Sequence, residues 1–240
     1  MAWMGGEDGV GGAVAGGAPP PAGDPARIVA WLRALVLDPD DGPWRSALDA
    51  AGATPARARA VVDAIPGTAA RLGAEWMGDA LSMVDVTIGS ARLEGALARL
   101  GPVVAPRPDG PTLPVLVPPW EQHGLAAALA VHRLHAAGID AALVLGLRAE
   151  AAASLPLVRA APAILVSCVD RPARARLDDY LRRLVAARTG AAPVLVGGPG
   201  FAEARARRPA PPAGVRIAND PVLALRAAGL YAPWRHAHPA

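Results

Sequence analysis

The apolar positions of this chain follow two different rhythms. Between Asp24 and Leu100 they recur every three or four residues, the period of helices that bury one face. Asp24-Pro25 supplies an N-cap and a first-turn proline, and Ile28, Trp31, Leu32 and Leu35 mark the inner face of a helix ending near Leu37. Gly42-Pro43 opens a second helix with Trp44 and Leu48 inward. Thr54-Pro55 caps a third, which carries Val61, Val62 and Ile65 and is expected to stop at Pro66. From Thr68 to Leu100 a stripe of Leu72, Trp76, Leu81, Val84, Ile88, Leu93 and Leu97 predicts one broken helix or two, with Gly78 and Gly89 against the continuous version. Four or so helices with short connections make a bundle.

Beyond a Pro/Gly-rich linker at 101–112, short uninterrupted apolar runs alternate with alanine-rich helical stretches. Strands are expected near 113–117, 140–145, 163–167, 192–196 and 215–217. Helices are expected near 124–137, 149–159, 171–188, 200–207 and 220–228. That succession predicts an α/β fold with a doubly wound parallel sheet. The domain reading is a disordered leader over 1–23, rich in Gly, Ala and Pro, a helical cap bundle over 24–100, and an α/β domain over 113–230.

Composition narrows the function classes. The hydrophobic content of 52% with only 4% aromatics implies a core made of Ala, Val and Leu. All 24 basic residues are arginine, yet the net charge is only +3, too little to argue for a nucleic-acid surface. No zinc-finger pattern and no helix-turn-helix are evident, so direct sequence-specific DNA binding is not expected. The single cysteine, Cys168, excludes an intramolecular disulfide and a cysteine-rich metal site, and its position at a strand end suggests a buried thiol. Lacking a secretory signal pattern or an apolar run of about 20 residues, the chain is expected to be cytoplasmic, without membrane contact.

The stretch with the most chemistry is Trp120-Glu121-Gln122-His123, on the loop leaving the carboxyl end of the first strand. Open α/β sheets bind their ligands there. A histidine at such a place can coordinate a metal through one ring nitrogen while a carboxylate orients the other. Two later strands end in small residues, at Ser167 and at Gly197-Gly198. Forty residues (127–166) separate Ala126 from Ser167, and 27 (170–196) separate Val169 from Gly197. His132 and His135, further along the helix after His123, are expected to face solvent. The arginines between Arg171 and Arg188 read as a solvated helix face or a docking surface for an acidic partner.

This order and spacing resemble the cobalamin-binding family pattern Asp-x-His-x-x-Gly, then Ser-x-Leu, then Gly-Gly. Glu121 stands in the place of the aspartate, Ala126 in that of the glycine and Val169 in that of the leucine. The resemblance implies a flavodoxin-like, Rossmann-like cobalamin-binding domain in which His123 is the lower cobalt ligand. The cofactor's displaced nucleotide tail would pass along a slot lined by Gly124, Ala126, Ser167, Val169, Gly197 and Gly198. The added methyl of Ala126 would narrow that slot.

In the helical half, Leu72-Gly73-x-x-Trp76-x-x-Asp79-x-Leu81-Ser82-x-Val84-Asp85-Val86-Thr87-Ile88-Gly89-x-x-Arg92-Leu93 resembles the PpaA/AerR-type antirepressors of purple bacteria. It also resembles the related domain named "sensor containing heme instead of cobalamin". That resemblance implies a bundle covering the cofactor's upper face, with Trp76 as a contact residue; plain core packing is the other reading of Trp76. Related light sensors carry a Glu-His pair where this chain has Val86-Thr87, so an upper-face histidine is missing. Three classes follow: a cobalamin-binding, light- or redox-responsive regulator acting on a transcriptional repressor, with haem as the alternative cofactor; a corrinoid methyl-carrier subunit of an enzyme; or a domain kept for protein contacts alone.

Overall fold

The computed structural model describes residues 19–21, 23–101, 111–169, 174–198, 211–218 and 220–230. The expectations for the leader over 1–18, the middle of the linker, Arg171 and the helix near 200–207 lie outside the described residues. The chain divides into two compact units, Met1–Leu100 and Gly101–Ala240.

The first unit is helical. Helix α1 (Pro25–Val36) is capped by Asp24, whose carboxylate accepts the Ala26 N–H at 2.9 Å. Asp40 does the same for α2 (Asp41–Gly52) through Gly42 N–H, and Thr54 accepts from Arg57 N–H at the start of α3 (Pro55–Met77). Helix α4 (Met83–Leu100) starts on a reciprocal pair: Asp85 accepts from the Ser82 amide and hydroxyl, and Ser82 Oγ accepts from Asp85 N–H. Ile28, Trp31, Leu32, Leu35, Trp44, Leu48, Val61, Val62, Ile65, Leu72, Leu93 and Leu97 form the buried interior.

Three expectations are corrected here. Pro66 does not stop α3, which runs on to Met77. A proline removes one N–H and crowds the preceding turn, but Ala64, Ile65, Thr68 and Leu72 are buried on either side of it, and that burial carries the helix through. The helix does break at Gly78, followed by Asp79 with φ of 57°. Gly89 is no break: a Cβ there would lie 2.9 Å from Leu72 Cδ1, so the glycine lets α4 pack closely on α3. The apolar stripe is only partly inward, since Val84, Ile88 and Trp76 are exposed, together with Met77 and Met83.

Charged side chains tie the helices together. The Arg92 guanidinium on α4 donates to the carbonyls of Val36 and Asp38 at the end of α1 and to Asp41 on α2. It thus caps the carboxyl end of one helix and pairs with the first turn of another. Arg33 on α1 donates to both oxygens of Glu75 on α3 at 2.8 Å, and Arg71 joins from one turn away.

The second unit is a five-stranded sheet in the order β2-β1-β3-β4-β5, every neighbouring pair parallel. The strands are β1 (Leu113–Val117), β2 (Ala141–Leu145), β3 (Ile164–Ser167), β4 (Val194–Gly197) and β5 (Val215–Ile217). The helices are α5 (Gly124–Ala136), α6 (Ala149–Ser154), α7 (Pro156–Ala160), α8 (Arg174–Ala187) and α9 (Pro221–Ala227). Ala127 and Leu134 of α5 and Leu225 of α9 pack on one face, with Leu113, Val115, Leu165 and Leu195. Residues of α6, α7 and α8 pack on the other, with Leu116, Ile164, Val166 and Val194. The expected doubly wound, flavodoxin-like sheet is thus present. The single helix expected over 149–159 is two, because Leu155, pressed by the following proline, is extended (φ −61°, ψ 134°). No described helix is long and apolar enough to cross a membrane.

The Arg33 guanidinium, assisted by Arg71, holds the Glu75 carboxyl below its usual range against the opposing effect of burial. Glu75→Gln is expected to lower the unfolding free energy by about 1 kcal/mol at neutral pH. With a lowered folded-state pKa, that contribution is present above the ordinary carboxyl range and fades as pH falls through the lowered value. Urea unfolding curves of the two proteins should converge on acidification; a constant gap would assign the effect to packing instead.

Candidate functional site

The carboxyl ends of β1 and β3 are adjacent where the strand order reverses, with β2 on one side of β1 and β3 on the other. Chains leaving these two strands diverge to opposite faces of the sheet and open a crevice between them. The loop after β1 begins with Pro118 and Pro119, and its first turn closes by Glu121 N–H to the Pro118 carbonyl at 3.0 Å. That turn carries Glu121 inward, where its side chain is 1% exposed, while the His123 side chain two residues on is 63% exposed.

Among the described residues Glu121 accepts three N–H donors. Its Oε1 takes the His123 amide at 2.8 Å and His123 Nδ1 at 2.5 Å, and its Oε2 takes the Val169 amide at 2.6 Å. An ionised carboxylate is an acceptor only, so the Glu121 contact makes Nδ1 the donor, and in the neutral tautomer that fits this contact the lone pair falls on Nε2. His123 is also the N-cap residue of α5 without a side-chain capping bond, which leaves the ring to the carboxylate. The arrangement is an imidazole oriented through Nδ1, with Nε2 as the ring nitrogen turned away from the carboxylate. Among the described residues no group of three or more His, Cys, Asp or Glu side chains could hold a metal ion. An ion bound at His123 would therefore bring most of its ligands with it.

The other sequence-derived positions lie as follows. Gly124 and Ala126 occupy the first turn of α5, both half-buried. Ser167 closes β3, is nearly buried, and pairs in register with Gly197, the last residue of β4. Val169 contributes its backbone amide to Glu121, a role the sequence could not announce because any residue but proline carries that group. Trp120 meets Tyr180 of α8 edge to face, with centroids 5.6 Å apart. Burial pushes the Tyr180 hydroxyl up to about 12, with Glu150 adding to the effect. Trp76 sits in the last turn of α3 in the helical unit and is 44% exposed, which removes the core-packing reading.

Gly197 and Gly198 have an explanation inside the chain. A Cβ on Gly197 would stand 2.2 Å from the Ala218 carbonyl oxygen, and one on Gly198 would stand 2.2 Å from that of Cys168. Gly198 also has φ of 138°, a conformation closed to side-chain-bearing residues. Both glycines let neighbouring strand ends approach, whatever lies beyond them. His132 and His135 are corrected as well: His132 is buried, and His135 Nε2 lies 2.9 Å from the Ala141 carbonyl and 3.3 Å from the Ala141 amide on β2. Cys168 is buried, as its strand-end position suggested.

No protein-family model matches the chain. An uncharacterized 20.5 kDa protein from the bchF-crtJ intergenic region of Rhodobacter capsulatus is 33% identical over 84 residues, 33% of this chain and 44% of that protein. The chain spans less than half the length of that relative. Among solved structures it is similar to a novel cobalamin-binding protein from Desulfitobacterium hafniense DCB-2, with 15% identity and a TM-score of 0.38, over 73% of this chain and 83% of that one. It is also similar to the methanol:cobalamin methyltransferase complex MtaBC from Methanosarcina barkeri, with 12% identity and a TM-score of 0.39, over 85% and 79% of the respective chains. At those scores neither superposition carries the fold, which rests on the strand order and register above.

Gly198→Ala should destabilise the second unit with no ligand added, by roughly 2 kcal/mol or more, because it combines a forbidden φ with a clash against a backbone carbonyl. Thermal melts of the ligand-free protein test this. An unchanged melting temperature would release Gly198 from its structural duty.

Proposed function

We propose that this chain is a cobalamin-binding regulatory protein in which His123 is the lower axial ligand of the cobalt. The observation that carries the reading is the Glu121 carboxylate, which fixes His123 Nδ1 at 2.5 Å and leaves Nε2 as the basic nitrogen at the mouth of the sheet's crevice. Metal-binding histidines are oriented this way by a carboxylate on the other nitrogen. With no group of three or more His, Cys, Asp or Glu side chains among the described residues to enclose an ion, the donor set suits a metal that arrives inside a macrocycle. Bound there, the corrin would supply cobalt chemistry. The chain's own groups hold and orient the imidazole, while Ser167 and the first turn of α5 border the path of the nucleotide tail.

A regulatory role is supported by the antirepressor resemblance and is compatible with the Rhodobacter capsulatus relative. The regulator acts by protein contact with a transcriptional repressor, with no operator recognition of its own. Adding it should change a repressor's operator affinity in a mobility-shift titration; specific, salt-tolerant promoter binding by the isolated protein would reverse that assignment.

Haem is the second reading, and one observation favours it. Ala126 places a methyl in the first turn of α5, and Gly197 and Gly198 are already occupied by backbone contacts, conditions that a tailless tetrapyrrole tolerates better. Visible spectra after separate incubation with hydroxocobalamin and haem decide between them. His123→Ala is expected to abolish the histidine-ligated spectrum, and Glu121→Gln to weaken binding by roughly 10–100-fold. Ala126→Gly should improve cobalamin binding and leave haem unaffected. Equal affinity and an unchanged spectrum in His123→Ala would remove the proposal.

A further inference from the structure

Strand β2 is an edge of the sheet, and among the described residues it has none of the usual protections. Its sequence, Ala-Ala-Leu-Val-Leu, contains no charge and no proline, and Leu145 is 58% exposed. The opposite edge, β5, is three residues long and carries Arg216. Backbone direction alternates along β2. Leu113 N–H donates to the Asp140 carbonyl and Gly146 N–H to the Val117 carbonyl, so the even-numbered residues bond inward to β1. The amides and carbonyls of Ala141, Leu143 and Leu145 therefore point outward.

At Ala141 the imidazole of His135 lies over the edge: its Nε2 is within hydrogen-bond distance of both the carbonyl and the amide and serves one of them in a given tautomer. At the other end Gly146, with φ of 72°, turns the chain out of the strand. The open edge is thus a window of four groups: the N–H and C=O of Leu143 and of Leu145. Both leucine side chains are exposed on the same face of the sheet.

We propose that this window is a self-association surface, on which a second copy of the chain pairs its β2 antiparallel about a two-fold axis through Val144. In that register Leu143 exchanges both backbone hydrogen bonds with the partner's Leu145, and Leu145 with the partner's Leu143. All four open groups are satisfied, and Ala141 with its histidine stays outside the ladder. Each Leu143 side chain lies beside the partner's Leu145. A two-fold pairing of this kind consumes both free edges and closes, giving a ten-stranded sheet and a finite dimer. Its area belongs with weak associations, below about 1,200 Å² of buried surface. The dimer is therefore concentration-dependent. The inference does not rest on a cofactor at His123.

Sedimentation velocity of the full chain over a wide concentration series is the test. The mass should rise from 24.3 kDa toward twice that value. Leu145→Lys should hold the protein monomeric at every concentration with an unchanged circular dichroism spectrum, since the side chain it replaces is exposed. Ile88→Lys and Leu223→Lys, at exposed apolar positions elsewhere, should still dimerise. Val144→Cys should cross-link to its own copy under mild oxidation, because residues on the axis of an antiparallel pair approach to disulfide distance, whereas Ala142→Cys should not. A wild-type monomer throughout overturns the proposal. So does a dimer that survives Leu145→Lys, or one that never cross-links through Val144→Cys.

Discussion

The buried carboxylate of Glu121 is the interaction on which the sheet's functional edge depends. Taking a charged group out of water is costly unless its lone pairs are used, and here three N–H donors use them. Two of those donors belong to His123, which leads from the loop after β1 into α5, and the third to Val169, just past the end of β3. One side chain thus fixes the exit of one strand, the entry of the next helix and the end of the neighbouring strand. The extra methylene of glutamate over aspartate matters to this span: Oε1 turns back to the residue two positions on, while Oε2 reaches across to a different strand.

Much of the architecture was legible because the central strands of the sheet are covered on both faces. Strands buried on both sides must be continuously apolar, and runs such as Leu113–Val117 and Ile164–Ser167 cannot be mistaken for half-exposed strands. The helix caps were legible from local sequence: Asp24 and Thr54 each have a proline at the next position and use their side chains as predicted. What failed was non-local. Pro66 looks like a stop because its cost is local, whereas the burial that overrides it is a property of the assembled bundle. Val84 and Ile88 have the period of a buried face, but periodicity identifies a face without naming what covers it.

The candidate site divides along the same line. Glu121 and His123 are two residues apart, so their meeting is visible in the sequence; the Val169 amide is 48 residues away and has no side-chain signature. Glycine is ambiguous in a different way. A pair of glycines at a strand end reads equally as a ligand cradle and as a close backbone approach, and only the carbonyl oxygens of Ala218 and Cys168 reveal that the second applies here. Histidine was misread because polarity was taken for exposure. An imidazole is compact enough to be buried and polar enough to engage backbone groups that a strand leaves open, as His135 does at Ala141.

A site with one oriented imidazole cannot choose its metal by coordination. Cobalt and iron both accept an axial nitrogen, and protein selectivity among such ions comes from geometry, ligand set and surroundings rather than from one donor. In the proposed site His123 would therefore supply affinity and a spectroscopic signature while contributing little to discrimination. The choice between a corrin with a nucleotide tail and a tailless porphyrin would then fall to residues that line the crevice. Ala126, in the first turn of α5, is the proposed position where a single methyl would bear on that choice. Its effect would be steric and independent of the metal, so an exchange of residue 126 separates recognition of the tail from ligation of the ion.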